Sequence, residues 1–529
     1  MRAYLSNAGA SRATVPGDQA PLGAAQATAF WYIAVAIVAL GSLLRFWRLD
    51  LAEFKRDELR DVALVLALIQ HGRWPESSMI SSIGTQIPPI FIYLVAIVAP
   101  LWPTPLGMAV SVAALNCAAL VLTLVFTRRY FGPIAALVAT TLFATCPWAV
   151  IFARKVWEPD ALPFFVLLFY LGLFAVVCDR APAGLLFSGL GAGMAMQLHS
   201  TGVALPLVGV LALLRWPRRF PSRYLLGALA IALFLFLPYL VLESRTGFSD
   251  WRAVLSHRED TSSNQLFATF LAWIFWLQLQ SGWQLTGVLF QPDFVSVNDP
   301  WYIHVATWIS WTAALGALLF VIRESILTLF SRTSLPDVDQ ERPRDALLLL
   351  TAWLVVTPFA LGLSGLMIYP HYLLVIYPAA NIAVGVVCAR LWRARSVARV
   401  CIVCVLVLLA GMNSATIMWT MHRAASEPPR GTYGLPLAYE TAVADTIARN
   451  APGKTITLVV DGTIRDGYPV LADFLRQRGI EAQRDVPYGL RSPRISVLLP
   501  HQHPPDGSRL VASVGDDARS PVVIVWSEP

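Results

Sequence analysis

Two short polar runs carry opposite charge chemistry in a chain that is otherwise apolar. In the first, Phe54-Lys55-Arg56-Asp57-Glu58-Leu59-Arg60-Asp61, six of eight residues are charged. A carboxylate held there partly away from water suits general-base work on a hydroxyl nucleophile, with Asp57 as the candidate and Glu58 as its neighbour. The second run spans 152–160 and places Arg154 and Lys155 just before Trp157, Glu158 and Asp160. Two such cations can neutralise a lipid phosphate, Arg by bidentate hydrogen bonding and Lys as a point charge. Glu158 and Asp160 can orient those cations or help to hold a divalent metal. His371 and Tyr372 open a later apolar segment and can hydrogen-bond a phosphate or a sugar. His199, and His257 with Glu259, have metal-ligand chemistry but no diagnostic spacing.

Each run also has a plainer reading. Asp57, Glu58 and Asp61 can pair with Lys55, Arg56 and Arg60 as a solvated interfacial cluster. Arg154 and Lys155 can snorkel to lipid headgroups beside an aromatic-belt Trp157. His371 can be a cap on an interfacial tyrosine.

The elements that must position these residues are membrane spans. Of 529 residues 56% are hydrophobic and 14% charged, and apolar runs of spanning length recur to about residue 419. The net charge of +7 comes from arginine clusters in short loops, a topology signal rather than a nucleic-acid signature. Apolar segments fall at about 29–46, 88–102, 106–127, 132–150, 160–178, 183–198, 201–215, 223–242, 302–322, 346–366, 371–390 and 398–419. Segment 88–102 is short and bounded by Pro88-Pro89 and by Pro100 and Pro103, so it reads as interfacial or re-entrant. With it excluded, the arginine-rich loops at 128–129, 215–223, 323–344 and 390–399 all fall inside. The expectation is a polytopic α-helical protein of about eleven spans in the cell membrane, N-terminus cytoplasmic and C-terminus extracytoplasmic.

That parity sends the loops 47–105, 151–160 and 243–301, and the start of the 371–390 segment, to the outer face together. Residues 1–28 read as a disordered cytoplasmic tail, followed by an uncleaved anchor; 29–421 is the membrane domain. The tail, 422–529, alternates strand-like runs (Thr455 to Val460, Ile495 to Leu499, Val522 to Trp526) with helix-like ones (Tyr439 to Arg449, Tyr468 to Arg478). It reads as a small extracytoplasmic α/β domain. The six cysteines lie in or beside apolar runs and indicate no disulfide framework.

Several motifs together resemble the lipid-carrier-dependent glycosyltransferases of the GT-C fold, the family-39-like group with the protein O-mannosyltransferases and aminoarabinose transferases. They are Arg45-Phe46-Trp47-Arg48-Leu49-Asp50 with Phe54 and Asp57-Glu58; Ser81-Ser82-Ile83-Gly84 with Pro88-Pro89-Ile90-Phe91; Arg129-Tyr130-Phe131-Gly132; Pro147-Trp148 with Arg154-Lys155-Val156-Trp157-Glu158; and His371-Tyr372-Leu373-Leu374 with Pro378. The resemblance covers about residues 29–420 and implies sugar transfer from a polyprenyl-phosphate carrier, with inversion, to a lipid, glycan or protein acceptor. Carried over, Asp57 is the general base, Glu58 its neighbour, Arg154 and Lys155 stabilise the phosphate leaving group, and Glu158 positions these groups or a metal. His371 replaces the family's usual Arg. Metal dependence varies in the family, so a divalent ion is the one cofactor kept open. Two alternatives remain: a lipid-linked polysaccharide ligase or polymerase, and a transporter, which typically places its polar residues at the midplane.

Overall fold

The computed structural model describes residues 23–527 apart from 82–83, 261–264, 292, 294, 297, 331–337, 365–366, 427–431, 452, 463, 465, 485–492, 500–501 and 515–522, and the side chains at 257–260, 338–340, 523–524 and 526–527. Along the chain run α1 (Ala24–Phe46), α2 (Arg56–His71), α3 (Ile90–Ala96), α4 (Pro105–Phe131), α5 (Pro133–Thr145), α6 (Pro147–Ile151) and α7 (Leu162–Cys178). Next come α8 (Gly184–Leu198), α9 (Ala204–Arg215), α10 (Ser222–Arg245), α11 (Ser249–Asp260) and α12 (Gln265–Gln278). The membrane part closes with α13 (Leu285–Phe290), α14 (Trp301–Phe330), α15 (Val338–Leu363), α16 (Ala379–Ala394) and α17 (Ser396–Ser426).

Seven of these helices are long and apolar enough to cross a membrane: α1, α4, α7 with its 3₁₀ lead-in Glu158–Ala161, α10, α14, α15 and α17. The 3₁₀ turn Pro370–Ile376 and α16, bent by 51°, form an eighth if counted as one span. The other three expected segments are the shorter apolar helices α5, α8 and α9. Segment 88–102 folds as α3 and one 3₁₀ turn ending at Leu101, short of a crossing. Helix α1 begins at Ala24, ahead of the expected start at 29, and residues 1–22 lie outside the described part.

Local sequence sets these boundaries. Thr104 caps α4, its hydroxyl accepting from the Gly107 N–H at 3.1 Å, with Pro105 at the first helical position. Helix α2 stops at Gly72, whose φ of +63° lets its N–H return to the Leu68 carbonyl at 3.0 Å.

Helix α7 spans about 26 Å at 1.5 Å per residue, so its two ends mark two faces. At the Cys178 end Asp179 accepts from Arg129, Tyr130 and Arg342, while Arg219 pairs with Asp345 and Glu341. Arg390 reaches Glu324 on the same side of the helix order. The arginine-rich loops are thus tied to each other by acids from neighbouring loops. The polar runs 53–61, 152–160 and 369–372 gather at the other end.

The tail forms α18 (Leu437–Asn450), β1 (Thr455–Val460), α19 (Gly467–Gln477), β2 (Glu481–Arg484), β3 (Arg494–Leu498), β4 (Arg509–Val514) and β5 (Val523–Ser527). Its five-stranded sheet has the order β2-β1-β3-β5-β4, parallel on one side of β3 and antiparallel on the other. Strands β2 and β4 were not expected: both are short or exposed, so neither has a clear apolar alternation. The domain docks on the acidic loop. Tyr433 donates to the Leu51 carbonyl at 2.6 Å, the Leu437 N–H to that of Ala52 at 3.0 Å, and Phe474 packs on Phe54 with centroids 5.5 Å apart.

Candidate functional site

The acidic run folds as the first turns of α2, and its carboxylates form no ion pair with the Lys55, Arg56 and Arg60 side chains beside them among the described residues. Glu58, at the third helical position, accepts from the Lys55 N–H at 2.9 Å and so caps the helix with its own carboxylate. Asp57 is exposed, and Asp57, Arg56 and Arg60 form no ion pair among the described residues. Asp61, one turn on, is fully buried with neither oxygen hydrogen-bonded. The solvated-cluster reading therefore does not describe this turn. One carboxylate faces outward unpaired, and two point into the protein.

Lys155 holds the centre. Its ammonium lies 3.1 Å from Glu53 and 3.7 Å from Glu58, and 3.9 Å from the centroid of Trp157. Burial alone would depress the Lys155 pKa, but Glu53, Glu58 and Asp160 raise it above the ordinary lysine value. Burial pushes the Glu53 carboxyl up, yet Lys155 and Lys55 together pull it below the usual carboxylate range. For Glu58 burial wins over the same two lysines and the pKa rises. Asp61 goes well above its ordinary value through burial, then through Glu158, Glu58 and Asp57. Lys55 bonds Glu53 and donates to the Thr432 carbonyl at 2.9 Å, so the tail domain holds this arrangement in place.

Arg154 is turned away from this cluster. Its guanidinium donates to the carbonyls of Leu44, Arg45, Trp47 and Arg48 at 3.1, 3.3, 2.6 and 2.5 Å. It thereby satisfies orphan carbonyls at the C-terminal end of α1 and in the turn beyond, favourable against the negative end of the helix dipole. Adjacent cations in sequence thus face different partners, because residues 154 and 155 lie in a non-helical turn between α6 and the 3₁₀ lead-in to α7.

Glu158 and Asp160 are buried; Glu158 accepts from the Ser78 hydroxyl at 2.9 Å, and its other oxygen and both Asp160 oxygens have no hydrogen-bond partner. Such orphaned carboxylates invite a cation. Among the described residues, no group of three or more His, Cys, Asp or Glu side chains stands close enough to share one ion. His257 and Glu259 lie outside the described side chains. His371 sits among rings, 4.6 Å from Trp157, 5.5 Å from His199 and 4.7 Å from Tyr372 by centroid. Hence Lys155, Trp157, His371 and His199 form one continuous wall.

Sequence reasoning missed Glu53, Ser78 and the tail's Thr432 and Tyr433. Glu53 lies one residue before the quoted Phe54 and could have been found in that motif. The others come from loops with no local signal.

Residues 86–242 match the model of the family described as dolichyl-phosphate-mannose-protein mannosyltransferase. No curated protein sequence gives a match. Among solved structures, ArnT from Cupriavidus metallidurans bound to undecaprenyl phosphate superposes with a TM-score of 0.55 at 16% identity, covering 93% of this chain and 97% of that one. ArnT in the apo state gives 0.55 at 15% identity, covering 95% and 98%. An Archaeoglobus fulgidus oligosaccharyltransferase complex with Zn and sulfate gives 0.46 at 11% identity, covering 85% and 62%. Residues 86–242 thus match that family's model, and the membrane fold along nearly the whole length is the GT-C fold shared with ArnT.

Proposed function

We propose that the protein moves a sugar from a polyprenyl-phosphate carrier to an acceptor hydroxyl on the extracytoplasmic face of the cell membrane. The observation that carries this reading is the unpaired, exposed carboxylate of Asp57 at the edge of a buried cluster centred on Lys155. The acceptor hydroxyl attacks the anomeric carbon as its proton passes to Asp57. The bond from that carbon to the phosphate oxygen breaks, and its electron pair stays on the phosphate. In-line displacement inverts the anomeric centre. Lys155 opposes the charge that develops on the phosphate, with the exposed Arg56 and Arg60 on the same first turns of α2 as further cations. Arg154 we assign to holding the turn after α1 rather than to the carrier. Glu58 and Glu53 fix the Lys155 ammonium, and Glu158 holds the 78–87 hairpin through Ser78. His371 and Tyr372 line the wall between Trp157 and His199 without a fixed charge.

The gathered arginine loops support a cytoplasmic placement of their face, which puts the N-terminus inside and the tail domain outside. A cysteine at Glu481, labelled in spheroplasts by a membrane-impermeant maleimide, checks this; labelling only after permeabilisation would reverse the orientation. The catalytic assignment is checked with Asp57→Asn in proteoliposomes supplied with a sugar-loaded carrier. Loss of the general base should lower turnover by roughly 10²–10⁴-fold with folding intact. Transfer at the parental rate would remove Asp57 from the reaction. Product sizing separates single-sugar transfer from a ligase or polymerase, which would add or grow a long chain.

A further inference from the structure

Beside the carboxylate cluster lies a cleft of about 640 Å³, within the range of small-molecule sites. Ser81 and residues 85–88, the α8–α9 break at His199, the α10–α11 corner and the Tyr369–Tyr372 turn line it. Its polar groups are held in fixed orientations. Asp250 is 5% exposed, and its Oδ2 accepts from the Tyr239 hydroxyl at 2.6 Å and the Gln86 N–H at 2.8 Å, leaving Oδ1 with no hydrogen bond among the described residues. The His199 Nδ1 accepts from the Thr201 N–H at 3.3 Å, so the neutral ring carries its proton on Nε2, which has no hydrogen-bond partner among the described residues. Two aromatic faces stand open beside them: Trp251 is 66% and Tyr369 49% exposed.

We infer that this cleft is a saccharide subsite that takes one pyranose ring of the sugar substrate. A fixed acceptor and a fixed donor can each pair with a ring hydroxyl, and an aromatic face can cover the apolar C–H face of the ring. The lining contains no Lys or Arg, which disfavours a phosphate as the occupant. A bare lipid tail would leave the Asp250 Oδ1 atom desolvated without a donor, a costly arrangement. The cleft also lies next to the reaction site: Trp157, under the Lys155 ammonium, contacts His371, and His371 contacts the cleft residue His199. The assignment of this ring to the transferred reaction rests on the transferase reading; its binding to the cleft does not.

The test is saturation-transfer NMR on the full-length protein in nanodiscs, with methyl α-D-mannopyranoside, methyl α-D-glucopyranoside and methyl β-L-arabinopyranoside as probes. At least one should show transfer, reduced tenfold or more by Trp251→Ala and by Asp250→Asn and unchanged by Asp57→Asn. Trp251 is a surface residue, so its variant remains informative if Asp250→Asn fails to fold. Displacement by the sugar-linked carrier but not by bare polyprenyl phosphate assigns the donor ring. Displacement by neither assigns an acceptor glycan. Displacement by bare polyprenyl phosphate, no signal from any pyranoside, or a signal indifferent to Trp251→Ala overturns the inference. Because the readout is binding alone, it stands even if Asp57→Asn proves fully active.

Discussion

Replacing Lys155 by methionine probes the buried charge balance at its centre. Methionine keeps much of the stem volume and removes the charge. The ammonium lost is 3.1 Å from Glu53 and 3.7 Å from Glu58, on a residue only 7% exposed. Removing one member of a buried pair costs roughly 3–5 kcal/mol, because the other charge is left behind without compensation. Lys55 still bonds Glu53 and its N–H still caps Glu58, so about 3 kcal/mol, the lower end, is expected here. The partner variant Lys155→Met/Glu53→Gln removes the stranded carboxylate and should recover about half of that loss, a clear departure from additivity. The pH dependence has a definite sign. With its pKa raised, Lys155 stabilises in full below the ordinary lysine value, so its own contribution is constant from about pH 5 to about pH 9. In Lys155→Met, Glu53 and Glu58 lose the neighbouring Lys155 charge and bind protons more readily in the folded state, so the deficit should grow as pH rises. Unfolding of the purified protein in detergent, followed by tryptophan fluorescence at about pH 5.5 and about pH 8.5, measures both effects. A Lys155→Met protein as stable as its parent, or a strictly additive double variant, would refute the reasoning.

Arg154→Met should lower the yield of folded protein far more than it alters carrier affinity, because four carbonyls lose a charged donor; a folded variant with weakened carrier binding would argue against this. Asp61→Asn should flatten the pH dependence of stability. The raised Asp61 pKa means that the native state binds the extra proton, so parental stability falls as pH rises from the ordinary carboxylate value towards the folded one, and the neutral amide removes that fall. A retained slope in the variant would place the titration elsewhere. Tyr433→Phe removes the bond to the Leu51 carbonyl, should cost about 1 kcal/mol, and should speed proteolytic release of the tail domain; unchanged protease kinetics would mean that this contact does not hold the domain.

Hydropathy, proline positions and arginine distribution made the membrane architecture legible in the sequence, because a span must be apolar over its whole length wherever it packs. Segment 88–102 could be set aside from its length, its bounding prolines and the arginine-loop parity, and the three strands with apolar runs were readable from their local pattern. The candidate site was legible as a set of residues but not as an arrangement. Arg154 and Lys155 are neighbours in the chain, yet one binds carbonyls after α1 and the other binds Glu53, and no local pattern distinguishes them. Likewise Asp57 and Asp61 share a helix face by spacing, while packing leaves one exposed and buries the other. The opening motif with Asp57 and Glu58 therefore supplied the candidate for the proposed base, since residue type determines what a side chain can do. Which charges are buried, paired or free depends on partners some 100 to 380 residues away, such as Lys155 for Glu53 and Tyr433 for Leu51. Desolvation and Coulomb energy act through space rather than along the chain, and only the tertiary structure brings those partners together.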